Sequence, residues 1–168
     1  MLFPATEVQI LPYNRLVQDL NGQSPETFLR SVRARFTVRT ASKASPAAPG
    51  SICMFLAGTW YELDWTLPPN TPPEGRLDVS VLQERLLGPI LGIDDPRTSK
   101  RIEFVGGIRG TAELEQRVNS GRHAVAFSMH PTTVSQMMEI ADTGGIMPPK
   151  STWFEPKLRD GLFIHTLD

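Results

Sequence analysis

A chain of 168 residues with a net charge of −1 suits a single domain, because folding at this size buries roughly two thirds of the unfolded surface. Lysine and arginine form no run longer than two, so the composition lacks the basic footprint of a nucleic-acid-binding protein. The single cysteine excludes an intrachain disulfide, and no apolar run approaches the roughly 18 residues of a membrane helix, so we expect a cytoplasmic protein without nucleic-acid or membrane partners.

The chain begins with a predicted strand and a predicted helix. Residues 7–11 alternate apolar and polar side chains and end at Pro12, which is typical of a strand. Ser24 and Pro25 form a helix start with a capping hydroxyl, and residues 37–39 predict a short strand. Three apolar residues at four-residue spacing predict that the helix is amphipathic: Phe28, Val32 and Phe36.

The middle of the chain predicts a linker, a hairpin and a second helix. Residues 41–50 are rich in Ala, Ser and Pro and indicate a mobile surface loop. Residues 52–56 and 59–65 predict an aromatic β-hairpin, whose rings we expect to pack in the core and not to form a ligand box. Asp78 is predicted to cap the next helix, and Gly88-Pro89 should end or kink it.

From residue 101 strands and helices alternate. The predicted strands are 102–105, 124–129 and 161–167, and the helices between them run from 111 to 120 and from about 134 to 141. The second of these helices carries four apolar residues: Val134, Met137, Met138 and Ala141.

The predicted fold class is α/β, with mixed α+β as the alternative. We expect one domain over residues 1–168, with a central mixed sheet that contains parallel pairs, flanking helices and the aromatic hairpin. In a parallel arrangement, the turns after Val105 and after Met129 would lie at the same edge of the sheet, where open α/β folds bind ligands.

Polar residues after the strand that ends at Met129 are candidates for a ligand site. Thr132 and Thr133 begin a helix whose free N–H groups can hold an anion, and His130 can serve as a general base or a phosphate contact. Thr133 with Gln136 also matches a capping box, and a structural turn is the alternative for His130.

The segment 144–157 is the strongest functional candidate. Its three prolines fix φ and remove backbone donors, so its shape is largely set before any ligand binds. We expect Lys150, Ser151, Thr152 and Lys157 to contribute to an anion site, with both lysines facing one pocket.

Two kinds of site are rejected. Gly144, Lys150 and Ser151 have the spacing of a glycine-rich phosphate loop, but Pro149 replaces its second glycine and removes a backbone N–H, so no nucleotide site of that type is predicted. The three histidines are dispersed, so no metal site is predicted either.

Three segments resemble the landmarks of one bacterial and archaeal family: residues 10–15, 77–82 and 147–157. On these segments the chain is similar, over nearly its whole length, to the domain of unknown function 1015 family. The most specific part is the Pro-Lys-Ser-Thr to Pro-Lys element. Asn14 and Arg15 match the family pattern as well and join the candidate ligand-binding residues, with roles that the family does not establish.

The resemblance implies a longer protein. Family members carry an upstream half with an Asp-Gly-His-His-Arg motif, similar to one in the ParB and sulfiredoxin-like superfamily that includes free serine kinases. This chain lacks that motif, so we expect the C-terminal half of a ligand-binding or phosphotransferase-like protein, with no activity of its own. Its expected partners are the upstream half and a small anionic ligand, and ATP or ADP is the cofactor implied for the whole protein. The alternative is a structural or interaction module, for which a homodimer is one arrangement.

Overall fold

The computed structural model describes residues 9–156 and contains eight strands and four α-helices in that range. The strands are β1 (Gln9–Leu11), β2 (Tyr13–Val17), β3 (Thr37–Thr40), β4 (Ser51–Leu56), β5 (Thr59–Asp64), β6 (Ile102–Gly106), β7 (Val125–Ser128) and β8 (Trp153–Glu155). The helices are α1 (Pro25–Arg33), α2 (Asp78–Leu82), α3 (Gly110–Asn119) and α4 (Val134–Asp142). None of these helices is long and apolar enough to cross a membrane.

Six strands form one antiparallel sheet in the order β3-β5-β4-β7-β2-β6, and β1 pairs with β8 in a second sheet. The mixed α/β class with flanking helices is confirmed, as is the aromatic hairpin, which is β4–β5. The predicted parallel pairs are wrong for the described strands, because β2 lies between β6 and β7 and is antiparallel to both. Consequently β6 and β7 run in the same direction, and their ends meet the start of β2 at one edge of the sheet. The predicted strand 161–167 lies outside the described residues.

The sheet has a hydrophobic core on each face. On the larger side, strand residues pack against α1, α2, α4 and the segment that follows α2. On the other face, α3 contributes Leu114 and Val118 to a smaller cluster with strand residues such as Leu16 and Phe55. The aromatic residues of the hairpin are divided between the two cores, as expected for packing residues.

The predicted linker 41–50 lies against the sheet. The Ser45 hydroxyl is 3.3 Å from the Ser128 hydroxyl, and the Cys53 thiol lies 3.6 Å from the Lys43 carbonyl. Because Cys53 and Ser128 are register partners on the face that carries α3, this loop covers a part of that face. It therefore belongs to the fold and does not separate two parts of it.

The predicted cap at Asp78 is wrong. Leu77 is the N-cap of α2 and has no side-chain capping bond, whereas Asp78 is the first helical residue. Its buried carboxylate accepts a hydrogen bond from the Gly50 N–H at 2.9 Å, so it fastens the end of the 41–50 loop to α2.

The helix that begins at Asp78 changes its winding before Gly88. Residues Gln83–Leu87 are π-helical, and the Gly88 N–H donates to the Gln83 carbonyl at 3.0 Å. Pro89 has no N–H to continue the α-helical ladder, so the predicted break at Gly88-Pro89 is confirmed. The wider turn places Gln83 and Glu84 on the wall of a cavity described below.

Helix α4 leaves part of its apolar surface exposed. Ile140 is its buried residue, whereas Val134 and Met138 are 56% and 60% exposed. The capping box of Thr133 and Gln136 is present: the Gln136 N–H donates to the Thr133 hydroxyl at 3.2 Å, and the Thr133 N–H donates to the Gln136 side chain at 2.9 Å.

Candidate functional site

Strand β2 carries an arginine on the side that faces the larger core. Side chains alternate along the strand, so Arg15 shares a face with the buried Val17. Its register partners on the neighbouring strands are Phe104 and Phe127. Arg15 is 4% exposed, and its guanidinium carbon lies 5.5 Å from the centre of the Phe104 ring. A cation is therefore held among aromatic side chains.

Two backbone carbonyls bind the Arg15 guanidinium. One terminal nitrogen donates to the Tyr13 carbonyl at 2.5 Å and the other to the Lys150 carbonyl at 3.2 Å. Within residues 9–156 no carboxylate forms an ion pair with it. Burial lowers the pKa of Arg15 to about 10, so the group remains charged at neutral pH. A buried cation that has no acidic partner within residues 9–156 carries a cost of desolvation, which its two carbonyl partners and the Phe104 ring offset only in part.

A cavity of about 650 Å³ opens beside Arg15. Its walls are formed by parts of residues 72–87, the loop 94–97, Phe104 and the proline-containing loop 146–149. This volume falls within the range of small-molecule sites, roughly 300–1,000 Å³. Arg15, which lacks an acidic partner in the described part of the chain, therefore borders a cavity large enough for a small molecule.

The backbone of Lys150 is part of this arrangement. Lys150 adopts a left-handed conformation with φ 56°, which turns the chain so that its carbonyl accepts from Arg15. Its ammonium group lies 5.4 Å from the centre of the Tyr13 ring, a cation–π distance. Pro148 and Pro149 line the cavity directly.

The neighbouring hydroxyls fix the shape of the same loop. The buried Ser151 hydroxyl donates to the Pro148 carbonyl at 2.5 Å, and the Ser151 carbonyl accepts from the Thr132 hydroxyl at 2.9 Å. Thr152 is half-buried. Lys157 lies outside the described residues, so a pocket that it shares with Lys150 stays a prediction.

Other predicted residues lie at the same edge of the sheet. The buried Asn14 side chain accepts from the Met129 N–H at 3.1 Å and so joins the start of β2 to the end of β7. His130 is half-buried, with its Nδ1 2.9 Å from the Pro131 carbonyl. Burial raises the pKa of Asp78 to about 6, while the nearby His130 acts in the opposite direction.

Several residues of the cavity were not among the sequence-based candidates. Its wall includes Phe104 together with Gln83 and Glu84 of the π-helical turn. Pro89 was a sequence signal for irregular winding here, and such irregular turns are frequent at functional sites. No comparable signal marks Phe104, which reaches the site through strand pairing. Within residues 9–156, no group of three His, Cys, Asp or Glu side chains is arranged to hold a metal ion.

Comparison with known proteins gives a family match for part of the chain. A family model described as "Protein of unknown function (DUF1015)" matches residues 1–80, which include β1 to β5, α1 and Arg15. No curated protein matches the chain.

Solved structures share the fold at low sequence identity. A free serine kinase in complex with AMP superposes with a TM-score of 0.53 and 12% identity, over 89% of this chain and 55% of that chain. A mutant of a free serine kinase in complex with ADP gives a TM-score of 0.50, 16% identity and the same coverage. A conserved hypothetical protein from Pyrococcus furiosus gives 0.51 and 16% identity, over 88% of this chain and 56% of that chain. This chain thus spans about half the length of the structures that it resembles.

Proposed function

We propose that this chain is the ligand-binding half of a DUF1015 family protein, and that its cavity binds the anionic group of a small molecule through Arg15. In this proposal the loop around Lys150, Ser151 and Thr152 shapes the site, and Lys157 provides a second positive charge for the anion. In the whole protein, this half works in a phosphotransferase-like reaction with ATP or ADP, and the upstream half supplies the catalytic groups.

The observation that carries the proposal is the state of Arg15. It is 4% exposed, has no carboxylate partner within residues 9–156, and lines a cavity of about 650 Å³. An incoming phosphate or carboxylate can accept charge-assisted hydrogen bonds from it, about twice as strong as neutral ones. The anion would thereby offset the free energy that burial of the charge costs.

The comparisons support the phosphotransferase-like part of the proposal at the level of the fold. Free serine kinases with AMP and ADP bound share the architecture, and the family model covers β2, which carries Arg15. The placement in the ParB and sulfiredoxin-like superfamily, the upstream partner and the cytoplasmic location belong to the same proposal.

Calorimetric titration of phosphate, AMP, ADP and phosphoserine against the chain tests the anion site. We expect at least one of them to bind, and Arg15→Gln to weaken its affinity by tenfold or more, because a charge-assisted bond contributes about 1.5–3 kcal/mol. Arg15→Lys keeps the charge but not the forked geometry and should recover part of the affinity. Lys150→Ala should weaken binding less, since its backbone carbonyl remains.

Arg39→Gln is the matched control, because Arg39 is exposed and paired with Asp64 on the far side of the sheet. Thermal unfolding of every variant shows whether it is folded. Absence of binding by all four ligands, or equal affinities in the wild type and a folded Arg15→Gln variant, would contradict the proposal.

A structural role is the second candidate. Arg15 connects β2 to the Lys150 carbonyl and to Phe104, so its function can be to fasten the loop. That role predicts that Arg15→Gln lowers the free energy of unfolding while no anion binds. Sedimentation equilibrium of the chain tests whether it is an interaction module that forms a homodimer. A homodimer would give twice the mass of the monomer.

A further inference from the structure

Strand β6 ends the six-stranded sheet, so one of its two edges has no neighbouring strand among residues 9–156. Two backbone bonds on its other edge, one beyond each end of β6, show where its polar groups point. The Gly107 N–H donates to the Pro12 carbonyl at 2.8 Å, and the Gln18 N–H donates to the Arg101 carbonyl at 2.9 Å. These residues continue the β2–β6 register in both directions.

The directions of the remaining backbone groups of β6 follow by alternation. Along an antiparallel pair, hydrogen-bonded and non-bonded positions alternate, so Glu103 and Val105 bond with β2, as the residues beyond the ends of β6 do. The N–H and C=O groups of Ile102, Phe104 and Gly106 therefore point to the open edge. Phe104 is half-buried and Gly106 is buried, and backbone groups that are shielded from water are normally paired.

A hollow of about 140 Å³ lies along this open edge. The successive residues 103–106 line it, together with Arg109, Arg117 and Trp153. Because successive side chains of a strand point to opposite faces, a hollow lined by a continuous run of residues lies beside the strand and not over one face. Since β2 occupies one side of β6, the hollow is on the other side, where the free backbone groups point.

The sequence of β6 does not protect its open edge. Natural sheet edges are commonly protected by lysine, proline or a β-bulge. Residues 102–106 contain neither Lys nor Pro, and their one-to-one register with β2 has no bulge. The one charged residue of the strand, Glu103, is bound by Arg117 of α3. An extended segment should therefore cover this edge.

We propose that residues 161–167 of this chain dock in the hollow and pair with β6 as a seventh, antiparallel strand of the sheet. The segment lies outside the described residues, and its sequence, Gly-Leu-Phe-Ile-His-Thr-Leu, is rich in residues that favour strands. Apolar residues occur at both alternating sets of positions, Leu162 with Ile164 and Phe163 with Leu167. That pattern suits a strand that is covered on both faces.

The path of the chain leads to one end of β6. The Trp153 ring of β8 lies over Gly106, where β6 ends. Residues 157–160 join the described part of the chain to the docking segment, and five residue steps reach at most about 18 Å, which is close to the length of β6. A segment that enters at Gly106 runs toward Ile102, against the direction of β6. The pairing is therefore antiparallel, like the other pairs of this sheet.

This pairing is independent of the anion site and would steady one wall of the cavity. Phe104 lines that cavity, and its ring centre lies 5.5 Å from the guanidinium carbon of Arg15. A strand on the open edge would hold the backbone of Phe104 from its second side.

Amide hydrogen exchange, measured by nuclear magnetic resonance on the whole chain, tests the pairing. We expect slow exchange at the Phe104 and Gly106 N–H groups, together with nuclear Overhauser effects between Phe104 and residues 161–167. Phe163→Pro and Ile164→Pro each remove one N–H, and because successive N–H groups point to opposite edges of a strand, one of the two variants loses a bond to β6. In that variant, exchange at Phe104 and Gly106 should be about tenfold or more faster, as expected when a segment opens locally.

Glu103 and Val105 are the internal control, because their N–H groups bond with β2 and should exchange at the wild-type rate in both variants. Slow exchange at Phe104 that persists in both variants would refute the pairing, as would fast exchange at Phe104 in the wild type. Protection of Phe104 that depends on protein concentration would assign the edge to a second copy of the chain and refute it too. If a proline variant unfolds, the control amides also exchange fast, and the absence of the Overhauser effects in the wild type then refutes the pairing.

Discussion

At the scale of single residues, buried ionisable side chains differ in what surrounds them. Arg15 and Asp78 are both buried ionisable groups, and neither has an ion-pair partner within residues 9–156. Arg15 borders a cavity and can receive an external counter-ion, whereas Asp78 accepts one hydrogen bond from Gly50. The first is therefore the basis of the proposed anion site, and the second indicates a cost to stability at neutral pH.

The pKa of Asp78 predicts a pH dependence of stability. Burial raises this pKa from 3.8 to about 6, so the folded protein binds the proton more strongly than the unfolded chain. Stability from this group is fully present below pH 3.8 and is lost as the pH rises through about 6. Asp78→Asn keeps an acceptor for Gly50 without the charge and should increase the free energy of unfolding at pH 7.5 by about 2 kcal/mol.

Urea unfolding at pH 4.5 and pH 7.5 measures the difference. Asp142→Asn is the control, because Asp142 is exposed. An Asp78→Asn variant that is less stable than the wild type at pH 7.5 would show that the carboxylate stabilises the fold in its charged form.

At the scale of the elements, close packing positions the edge of the sheet where the candidate site lies. Strand β6 ends at Gly106, and the Trp153 ring of β8 lies directly over it. The same ring lies 5.1 Å from the Tyr13 ring, measured between centres. The small β1–β8 sheet is thereby held against the start of β2, next to Arg15.

Gly106→Ala should therefore destabilise the protein. A Cβ at this position would lie 2.6 Å from two atoms of the Trp153 ring, a distance at which one of the groups must move. We expect a loss of about 1–3 kcal/mol in the free energy of unfolding. Gly88→Ala is the matched control, since its Cβ would meet its nearest neighbour at 3.4 Å, and it should be neutral or stabilising. Equal stabilities of the two variants would show that the ring moves away without cost.

The capping box of α4 gives a second prediction at this scale. Thr133→Ala removes the acceptor of the Gln136 N–H and should lower the free energy of unfolding by about 1 kcal/mol, and Thr133→Ser should restore it. If Thr133 instead contacts the ligand, the alanine variant will lose affinity in calorimetric titrations beyond what its lower stability explains.

At the scale of the whole molecule, the six-stranded sheet lies between two hydrophobic cores of unequal size. Helix α3 covers one face through the smaller cluster, and Trp60 joins that side by donating from its indole N–H to Glu115 of α3 at 2.7 Å. The larger core contains the remaining helices. Because both cores share the same strands, we expect them to unfold together.

Leu114→Ala tests this cooperativity. Leu114 is fully buried, so truncation should cost about 2–5 kcal/mol. Denaturation followed by tryptophan fluorescence and by far-ultraviolet circular dichroism should give coincident midpoints in the variant and in the wild type. Separate midpoints would mean that α3 and its cluster unfold independently of the larger core.

The sequence by itself determined the local elements. Ser24 and Pro25 specified the start of α1, Thr133 and Gln136 the capping box of α4, and Pro89 the break after the π-helical turn, because each acts through the backbone of its immediate neighbours. Arg15 was recognisable as a candidate, yet its burial was not, since burial depends on β6 and β7, which are remote from β2 in the chain.

Tertiary structure alone decided the strand order and the cavity. Insertion of β2 between β6 and β7 replaced the predicted parallel pair by two antiparallel ones and placed Phe104 and Phe127 beside Arg15. Asp78 bonds with Gly50 and not with its own helix for the same reason: its partner is chosen by the packing of a distant loop. Pairing between remote strands follows from the total burial of apolar surface, and a local pattern of residues does not contain that information.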